Sequence, residues 1–359
     1  MCQITPIISV IIPCYKGAAF LPAIVACLEK QTFQDFEIIL VNDGDDGQLP
    51  IMQQLQSNNA KIRIINKKNG GLSSARNAGM NAAEGEWIVF MDQDDEVKPY
   101  YLQSLYDAVV NNHVDIAIGG FQQYYVRERR YRNYFIEPLV KSVYSYQEVF
   151  ELIGGYTLYN VWNKIFNTNL LKKNHFHFSD YYFTGDDEVF WSDIILKVNP
   201  NIALINDCGY IYLMRDNESI SSKYVPTYVE TRTLVMSSRK QILDQFSWDE
   251  NRKNAFLSHS YYMMGYFICC NYFKKGTPLS FSQQVKCIRT ELLQNKEILN
   301  ANNIHIYGGG NLFMKIYNVC MRTHSAFVIA LAFRLQYWCK YHLYGLYLKI
   351  VPYLRGVKK

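Results

Sequence analysis

The segment Trp87-Ile88-Val89-Phe90-Met91-Asp92-Gln93-Asp94-Asp95 places five apolar residues directly before three carboxylates. An uninterrupted run of aromatic and β-branched residues is typical of a strand that is buried on both faces. In an open α/β sheet, ligands bind beyond the carboxyl ends of the strands. Crowded carboxylates repel one another unless a cation neutralises them, and Mg²⁺ and Mn²⁺ prefer oxygen ligands. The segment therefore predicts either a metal site or an acidic turn in which Asp95 caps the helix that follows Pro99.

Strands and helices alternate through the first part of the chain. Apolar runs predict strands at 7–12, 36–41, 61–65 and 87–91, with helices at 20–30, 72–83 and 99–110. This alternation favours right-handed βαβ units and a mostly parallel sheet. Further along, the pattern predicts an irregular or hairpin region at 121–146, helices at 162–173 and 188–198, one or two strands at 202–213 and helices from 228 to 300. The predicted fold class is α/β, followed by a helical C-terminal extension.

Composition narrows the class of protein. The chain has 359 residues, of which 49% are apolar and 19% charged, so it can bury a sizeable core and is not disordered overall. The nine cysteines form no CxxC pair, and the first residues lack the basic start and apolar run of a secretion signal. These features predict reduced thiols in a cytoplasmic protein.

The positive charge is concentrated in the C-terminal tail. From Leu299 to Lys359 there is no acidic residue, and the segment carries +8, whereas the rest of the chain carries −3. Aromatic residues alternate with these basic ones, which indicates a segment that lies on an anionic lipid surface, the alternative being an ordinary packed helix pair. No run reaches the roughly 20 apolar residues of a transmembrane helix. Nucleic-acid binding is disfavoured, because the basic residues lie in this tail rather than over the sheet.

Other polar residues follow the predicted strands or start a predicted helix. Tyr15 comes just after the first strand and could stack on a base, whereas Asp43 ends the second strand and could accept a hydrogen bond from it. Arg76 could reach a base edge or a phosphate. Asp187, in Gly185-Asp186-Asp187-Glu188, is placed at a helix start, where a carboxylate could act as a general base.

At this point the chain resembles the family-2 glycosyltransferases, which have the GT-A fold and invert the anomeric centre. The resemblance covers about two thirds of the chain, and its blocks follow in family order. The matching blocks are Val10–Tyr15, Val41–Gly44, Asn69–Gly79, Phe90–Asp95, Val161–Phe166, Gly185–Phe190, and Tyr212–Arg215 with Ser219-Ile220. The resemblance implies a GT-A domain at 1–225, with a nucleotide-binding half at 1–118 and an acceptor half at 119–225. A helical extension at 226–300 and a membrane-associating tail at 301–359 complete the predicted organisation.

The resemblance also implies a role for each matching residue. Asp43 would bind the base, flanked by Pro13 and Tyr15. Arg76 would contact the nucleotide. Asp92 and Asp94 would form the DxD pair, the first near the ribose and the second on a Mg²⁺ or Mn²⁺ ion. Asp187 would be the catalytic base, and Arg215 would meet the diphosphate or the acceptor.

Three positions depart from the family pattern. Lys16 stands where the family often has Asn, and Asn42 replaces the first Asp of a common Asp-Asp pair. Asp186 replaces the usual Glu beside the base, which leaves open whether Asp186 or Asp187 takes the proton. Asp95 keeps the role of helix cap.

The implied activity is metal-dependent transfer of a sugar, hexosyl or N-acetylhexosaminyl, from a UDP-sugar or another nucleotide-sugar to a hydroxyl of a glycan or lipid-linked oligosaccharide. Its implied setting is bacterial capsule, exopolysaccharide or O-chain synthesis, at the inner face of the cell membrane. Two alternatives stay open. One is a non-catalytic glycan- or lipid-binding subunit of a polysaccharide assembly complex. The other is a sugar nucleotidyltransferase, although Pro13-Cys14-Tyr15-Lys16-Gly17 is a poor triphosphate loop.

Overall fold

A computed structural model describes residues 5–137, 139–180, 185–215, 223–304 and 312–342. The chain forms two compact units, Met1–Asn217 and Glu218–Lys359. The predicted domain end at 225 therefore falls eight residues beyond the division between the units. The Ser219-Ile220 block and the end of the predicted tail, 343–359, lie outside the described residues.

The first unit contains two sheets. The larger sheet has eight strands in the order β3-β2-β1-β4-β10-β6-β11-β9, and the smaller has four in the order β5-β12-β7-β8. The strands are β1 Ile8–Cys14, β2 Phe36–Asp43, β3 Ile62–Lys67, β4 Trp87–Phe90, β5 Glu96–Val97, β6 Ile116–Gly119, β7 Phe121–Tyr125, β8 Arg130–Tyr134, β9 Val143–Tyr144, β10 Lys164–Asn167, β11 Ile202–Ile205 and β12 Tyr210–Met214.

In the described part of this unit, seven helices accompany these strands. They are α1 Leu21–Glu29, α2 Leu49–Asn58, α3 Gly71–Ala82, α4 Tyr101–Asn112, α5 Tyr146–Tyr159, α6 Thr168–Lys173 and α7 Asp186–Val198, with a 3₁₀ turn at Asp46–Gln48. The alternating pattern predicted for the first 118 residues is confirmed, with boundaries shifted by a few residues.

Strands β1, β2 and β4 are buried along their whole length, which is why they read as continuous apolar runs. They pair in parallel, β1 between β2 and β4, so their carboxyl ends meet at one edge of the sheet. Helix α3 packs closely on this layer because Gly79 has no side chain. A Cβ atom there would lie 2.3 Å from Cγ2 of Ile11. This close approach brings the start of α3 to the same edge.

The prediction of a helix over 162–173 was partly wrong. Only Thr168–Lys173 is helical, and Lys164–Asn167 forms β10, which runs antiparallel between β4 and β6. Trp162, Ile165 and Phe166 have helical spacing, but the strand buries Ile165 and Phe166, whose Cβ atoms point to opposite faces of the sheet. A strand that is covered on both faces carries no polar alternation that would distinguish it from a helix.

The predicted hairpin region contains the β7–β8 hairpin, in which the rings of Phe121 and Tyr134 stack. Strand β5 follows residues 92–95, which we call the acidic segment. It pairs with β12, which in turn pairs in parallel with β7. The acidic segment therefore leaves one sheet at β4 and enters the other at β5. Both of its ends are fixed by backbone hydrogen bonds.

The second unit is helical in its described part. Its helices are α8 Tyr228–Asp244, α9 Glu250–Tyr272, α10 Phe281–Ile288, α11 Lys296–Ile304, α12 Leu312–Arg322 and α13 Ala326–His342, with a π-helical turn at Arg289–Leu293 after α10. Tyr262, Tyr317 and Phe333 belong to one buried core, so residues on both sides of the predicted boundary at 300 pack together. Within the described ranges, no helix has the length and apolar character needed to cross a membrane.

Candidate active site

The carboxyl ends of β1, β2 and β4 bring three of the predicted segments together. Tyr15 follows β1, Asp43 ends β2, and Asp92 comes two residues after β4. Pro13 is buried within β1, whereas the Tyr15 ring is 44% exposed. A buried backbone therefore presents an open aromatic ring at this edge, as stacking on a base requires.

Gln93, to which no role was assigned from the sequence, connects the segment after β4 with the end of β1. Its Oε1 accepts from the Tyr15 N–H at 3.3 Å, and its Nε2 donates to the Tyr15 carbonyl at 3.0 Å. A Cβ atom at Gly17 would collide with the Gln93 amide. Since the contact joins residues 78 apart, nothing in the local pattern around Gln93 could have predicted it.

The Asp43 carboxylate is buried and already bonded on both oxygens. Oδ1 accepts from Lys67 Nζ at 2.7 Å and from the Gly70 N–H at 3.0 Å, and Oδ2 accepts from the Gly71 N–H at 2.8 Å. Asp43 thus anchors the start of α3 to the end of β2 in this state. Its assignment to the base of a nucleotide remains a prediction, which requires its remaining lone pairs or a rearrangement of these bonds.

Lys16 has a left-handed backbone, with a φ of +50°. Asn adopts this conformation more readily than Lys, because its short polar side chain bonds locally. The family's frequent Asn at this position therefore suits the backbone better than the lysine of this chain does.

The prediction that Asp95 caps the following helix was wrong. Helix α4 starts at Tyr101 without any side-chain cap. Asp95 is buried, and its carboxylate accepts from the Tyr210 hydroxyl at 2.7 Å and from the Leu213 N–H at 2.8 Å. Burial and the neighbouring Asp92 and Asp94 raise the pKa of Asp95 well above its ordinary value.

Tyr210 joins the same network from the other side, since its hydroxyl also accepts from the Asp92 N–H at 3.3 Å. Asp95 and Tyr210 therefore fasten the acidic segment to β12. This leaves Asp92 and Asp94 as the more open acids, with 28% and 45% of their side chains exposed. Sequence offered no signal for the Tyr210 contact, which spans 115 residues.

Arg76 is the centre of the site. The side chain is almost fully buried, and Nη1 donates to Asp186 Oδ2 at 3.2 Å and to Asp187 Oδ1. Nη2 donates to Asp92 Oδ1 at 3.4 Å, and the guanidinium lies 5.2 Å from the centre of the Phe178 ring. Burial alone would lower the pKa of Arg76, but the surrounding carboxylates raise it, so the side chain is a permanent cation.

This geometry restricts the predicted contact between Arg76 and the nucleotide. Both terminal nitrogens are engaged by carboxylates, and Nε, which is buried, has no hydrogen-bond partner in the described part of the chain. Direct binding of a nucleotide by Arg76 remains a prediction. In this structure the guanidinium holds three acids together.

Asp186 and Asp187 start helix α7, where the positive end of the helix dipole favours acidic side chains. Asp186 has 9% of its side chain exposed and also accepts from the Ser73 hydroxyl at 3.1 Å, whereas Asp187 has 25% exposed. Burial raises the pKa of Asp187 to about 7, since the opposing effect of Arg76 is offset in part by Asp186 and Asp92. Asp187 is therefore the acid of the pair that is better placed to take a proton from an incoming group.

Arg215 reaches the acidic segment from the end of β12. Its Nη1 donates to Asp94 Oδ2 at 3.1 Å, and its guanidinium lies 4.6 Å from the centre of the Phe20 ring. The structure thus brings Arg215 to Asp94, the residue predicted to hold a metal. A cationic side chain beside this acid is consistent with a site that also receives phosphate groups.

The acidic segment suits a divalent cation that is bound partly by the protein and partly by the substrate. Within the described residues no three His, Cys, Asp or Glu side chains form a complete metal cage. Mg²⁺, however, is usually held by one or two carboxylates together with phosphate oxygens and waters. Burial, and then the nearby Asp94 charge, raise the pKa of Asp92 despite Arg76, a repulsion that a bound cation would relieve.

Comparison with known proteins places this arrangement in a family. Residues 9–191, just over half of the chain, match the family described as glycosyl transferase family 2. The chain is 26% identical over 244 residues to the glycosyltransferase GlyA of Streptococcus pneumoniae, a match that spans 66% of this chain but only 34% of GlyA. It is 25% identical over 347 residues to the cholesterol galactosyltransferase of Borreliella burgdorferi, which covers 90% of this chain and 95% of that protein.

A solved structure shares the fold. The crystal structure of Staphylococcus aureus TarS 1-349 in complex with UDP-GlcNAc aligns with a TM-score of 0.65 and 20% identity, covering 92% of this chain and 91% of TarS 1-349. The chain belongs to glycosyl transferase family 2, and the predicted α/β fold of the GT-A type is confirmed.

The eight cysteines of the described residues are all free thiols.

Replacing Arg76 by Met should destabilise the protein strongly, because Asp92, Asp186 and Asp187 would lose the cation that they share. Removing one partner of a buried ion pair costs about 3–5 kcal/mol, so we expect a loss of this size in the free energy of unfolding, measured by urea denaturation. The matched control is Arg130→Met, which breaks an exposed pair with Glu128 and should cost less than about 1 kcal/mol. Equal losses in the two variants would contradict the central role of Arg76.

Proposed function

We propose that this protein transfers a hexosyl or N-acetylhexosaminyl group from a UDP-sugar to a hydroxyl of a glycan or lipid-linked oligosaccharide, with inversion of the anomeric centre. The observation that carries the proposal is the Arg76 cluster. This cluster consists of Arg76 and the three acids that it contacts. They include Asp92, which follows β4 at the edge of the sheet, and Asp187, in the first turn of α7. A single displacement needs the donor-binding acids and the base within reach of one reacting centre, and the cluster brings both together.

Asp187 takes the acceptor proton in this proposal. A general base works best when its pKa is near the working pH, and burial raises the pKa of Asp187 to about 7. Its hydrogen bond with Arg76 fixes the carboxylate in one orientation. Asp186 braces the cluster through Ser73 and Arg76 and is too enclosed to be the first choice for the base.

The donor would lie along the carboxyl ends of β1, β2 and β4. Tyr15 would stack on the base beside Pro13, Asp43 would meet the base edge, and Asp92 would approach the ribose. The UDP class is supported by TarS, which was crystallised with UDP-GlcNAc and is known as a poly(ribitol-phosphate) β-N-acetylglucosaminyltransferase. Exposure of the Tyr15 ring is consistent with such stacking.

Asp94 and Asp92 would hold Mg²⁺ or Mn²⁺. When bound, the cation stabilises negative charge that develops on the leaving diphosphate. Arg215, which contacts Asp94, adds a fixed positive charge on the same side. Its planar guanidinium suits phosphate oxygens, so Arg215 would orient the leaving group.

The proposed setting is the synthesis of a bacterial surface polysaccharide at the inner face of the cell membrane. The names of two relatives support an acceptor of this kind, the cholesterol galactosyltransferase and the poly(ribitol-phosphate) β-N-acetylglucosaminyltransferase TarS. A non-catalytic subunit would not need an intact set of acids, yet Asp92, Asp94 and Asp187 are all present at the site. For this reason an enzyme is favoured over a binding subunit.

A screen of nucleotide-sugars tests the proposal directly. Purified protein is incubated with UDP-glucose, UDP-galactose, their N-acetylated forms, and GDP- and dTDP-sugars, and nucleotide release is measured with Mn²⁺ and with EDTA. We expect release from a UDP-sugar that depends on the metal. Asp94→Asn should lose this stimulation and weaken Mn²⁺ binding in the presence of UDP, followed by the electron paramagnetic resonance signal. Asp46→Asn, at an exposed acid of the 3₁₀ turn, is the control. Normal Mn²⁺ binding by Asp94→Asn would refute the metal assignment.

Asp187→Asn should lower kcat by about 10²–10⁴-fold, since the amide cannot accept the acceptor proton. Binding of UDP, measured by isothermal titration calorimetry, should stay close to that of the wild type. Asp193→Asn, further along the same helix, provides the matched control and should keep its activity. Full transfer activity in Asp187→Asn would remove Asp187 from the mechanism.

The pH dependence of the wild-type enzyme should reveal the same group. Because Asp187 must be deprotonated to act and its pKa is raised to about 7, kcat/KM should fall as the pH drops through 7. Above this pH the carboxylate is ionised and the acid limb should level off. The measurement is a pH profile of kcat/KM, which reports the free enzyme. An acid limb near pH 4, the range of an ordinary carboxylate, would be the contradictory result.

A further inference from the structure

Helix α13, in the second unit, is apolar on two opposite faces. One face packs into the core of the unit through Ile329, Ala330, Phe333 and Tyr337. The other carries Phe327, Leu331, Leu335 and Trp338, whose spacing of four, four and three residues puts them on one side of the helix. We call these four residues the outer face. Their exposed fractions are 55%, 41%, 55% and 50%, so half of each large side chain meets solvent.

Exposed apolar residues are concentrated around this face. Among the described residues, sixteen large apolar side chains are exposed, and eight of them lie between 312 and 342. Single exposed apolar residues are normal on any protein, whereas a contiguous patch marks a contact surface. The eight belong to α12 and α13: Ile316, Val319, Phe327, Val328, Leu331, Leu335, Trp338 and Tyr341.

The charge around the outer face is of one sign. Helices α12 and α13 carry Lys315, Arg322, Arg334 and Lys340 and no acidic residue, and the sequence has none from Leu299 to the end. Arg334 follows Leu331 on the same side of α13, with its guanidinium 4.8 Å from the centre of the Phe281 ring. Arg334 is therefore the cation beside the outer face, and the two helices add further cations but no acid.

A cavity of about 250 Å³ adjoins this patch. Its walls include Phe281, Arg334, Trp338 and Tyr341. Trp and Tyr are the side chains that favour the boundary between hydrocarbon and water, because one end is apolar and the other polar. A basic side chain and aromatic rings at one opening match the combination of acyl chain and anionic headgroup.

We infer that the outer face of α13 is the surface by which this protein lies on an anionic lipid bilayer. Charge complementarity selects this occupant. A second copy of the chain, joined by a two-fold axis through this face, would bring the two Arg334 side chains to one interface, and α12 and α13 have no acid to pair with them. A nucleic acid would neutralise the cations but would leave the aliphatic Leu331 and Leu335 without an apolar partner. Anionic lipid satisfies both, as in helices that lie within the membrane interface.

Flotation of the full-length protein with lipid vesicles tests the inference. Vesicles of equimolar phosphatidylglycerol and phosphatidylcholine should carry the wild type to the top of the gradient, whereas pure phosphatidylcholine should carry little. Leu331→Glu with Leu335→Glu should reduce the bound fraction roughly tenfold, since two anchoring side chains become anionic. The matched control is Val126→Glu with Leu152→Glu, at exposed apolar positions of the first unit, which should bind like the wild type.

A second pair of substitutions tests the charge separately. Lys315→Gln with Arg334→Gln should weaken flotation on the anionic vesicles, as should a high concentration of salt. Thermal melting followed by circular dichroism establishes that each variant is folded. Nucleotide release from the donor should be unchanged in both double variants, because none of their four substituted positions belongs to the Arg76 cluster.

Three results would overturn the inference: no flotation of the wild type, equal flotation of the Leu331/Leu335 variant, or equal binding to neutral vesicles. If light scattering instead shows a wild-type dimer that becomes a monomer in the Leu331/Leu335 variant, with no lipid binding, the outer face contacts a second copy. Since these readouts do not depend on sugar transfer, their failure is distinct from failure of the proposed enzymatic function.

Discussion

The pairing of three carboxylates with one buried guanidinium is the constraint on which the first unit depends. Asp92, Asp186 and Asp187 come from segments about a hundred residues apart, and at this partly buried sheet edge their charges would repel one another without Arg76. The close contact of α3 with β1 at Gly79 places that cation where the acids meet. Folding of the first unit and assembly of the site are therefore one event.

A second network supports the first. Tyr210 and Asp95 hold the acidic segment against β12, and Gln93 joins it to the backbone of Tyr15. These contacts determine which acids stay open. Asp95 is buried in this network, so Asp92 and Asp94 remain the more exposed of the three acids that occur within four residues.

The sequence predicted the parts of the structure whose causes are local. Apolar runs predicted β1, β2 and β4, and turn chemistry placed Asp43 and Asp92 after β2 and β4, which lie on either side of β1. The failures share a physical reason. The strand Lys164–Asn167 reads as a helix because both its faces are buried, and Asp95 reads as a cap because its true partner, Tyr210, is 115 residues away. The pairing of Arg76 with Asp186 and Asp187 belongs to the same class, since no local pattern encodes a contact across 110 residues.

The rim and the centre of this site have different freedom to evolve. Tyr15 is exposed, and Lys16 contacts the rest of the protein through its backbone N–H to Asp45, so their side chains can change one at a time with little loss of stability. The acids around Arg76 cannot, because removing any one of them alters the electrostatic balance of the others, and the effects of such substitutions are not additive. Successive single substitutions can therefore change Tyr15 and Lys16, whereas Arg76 and the acids around it can change only together.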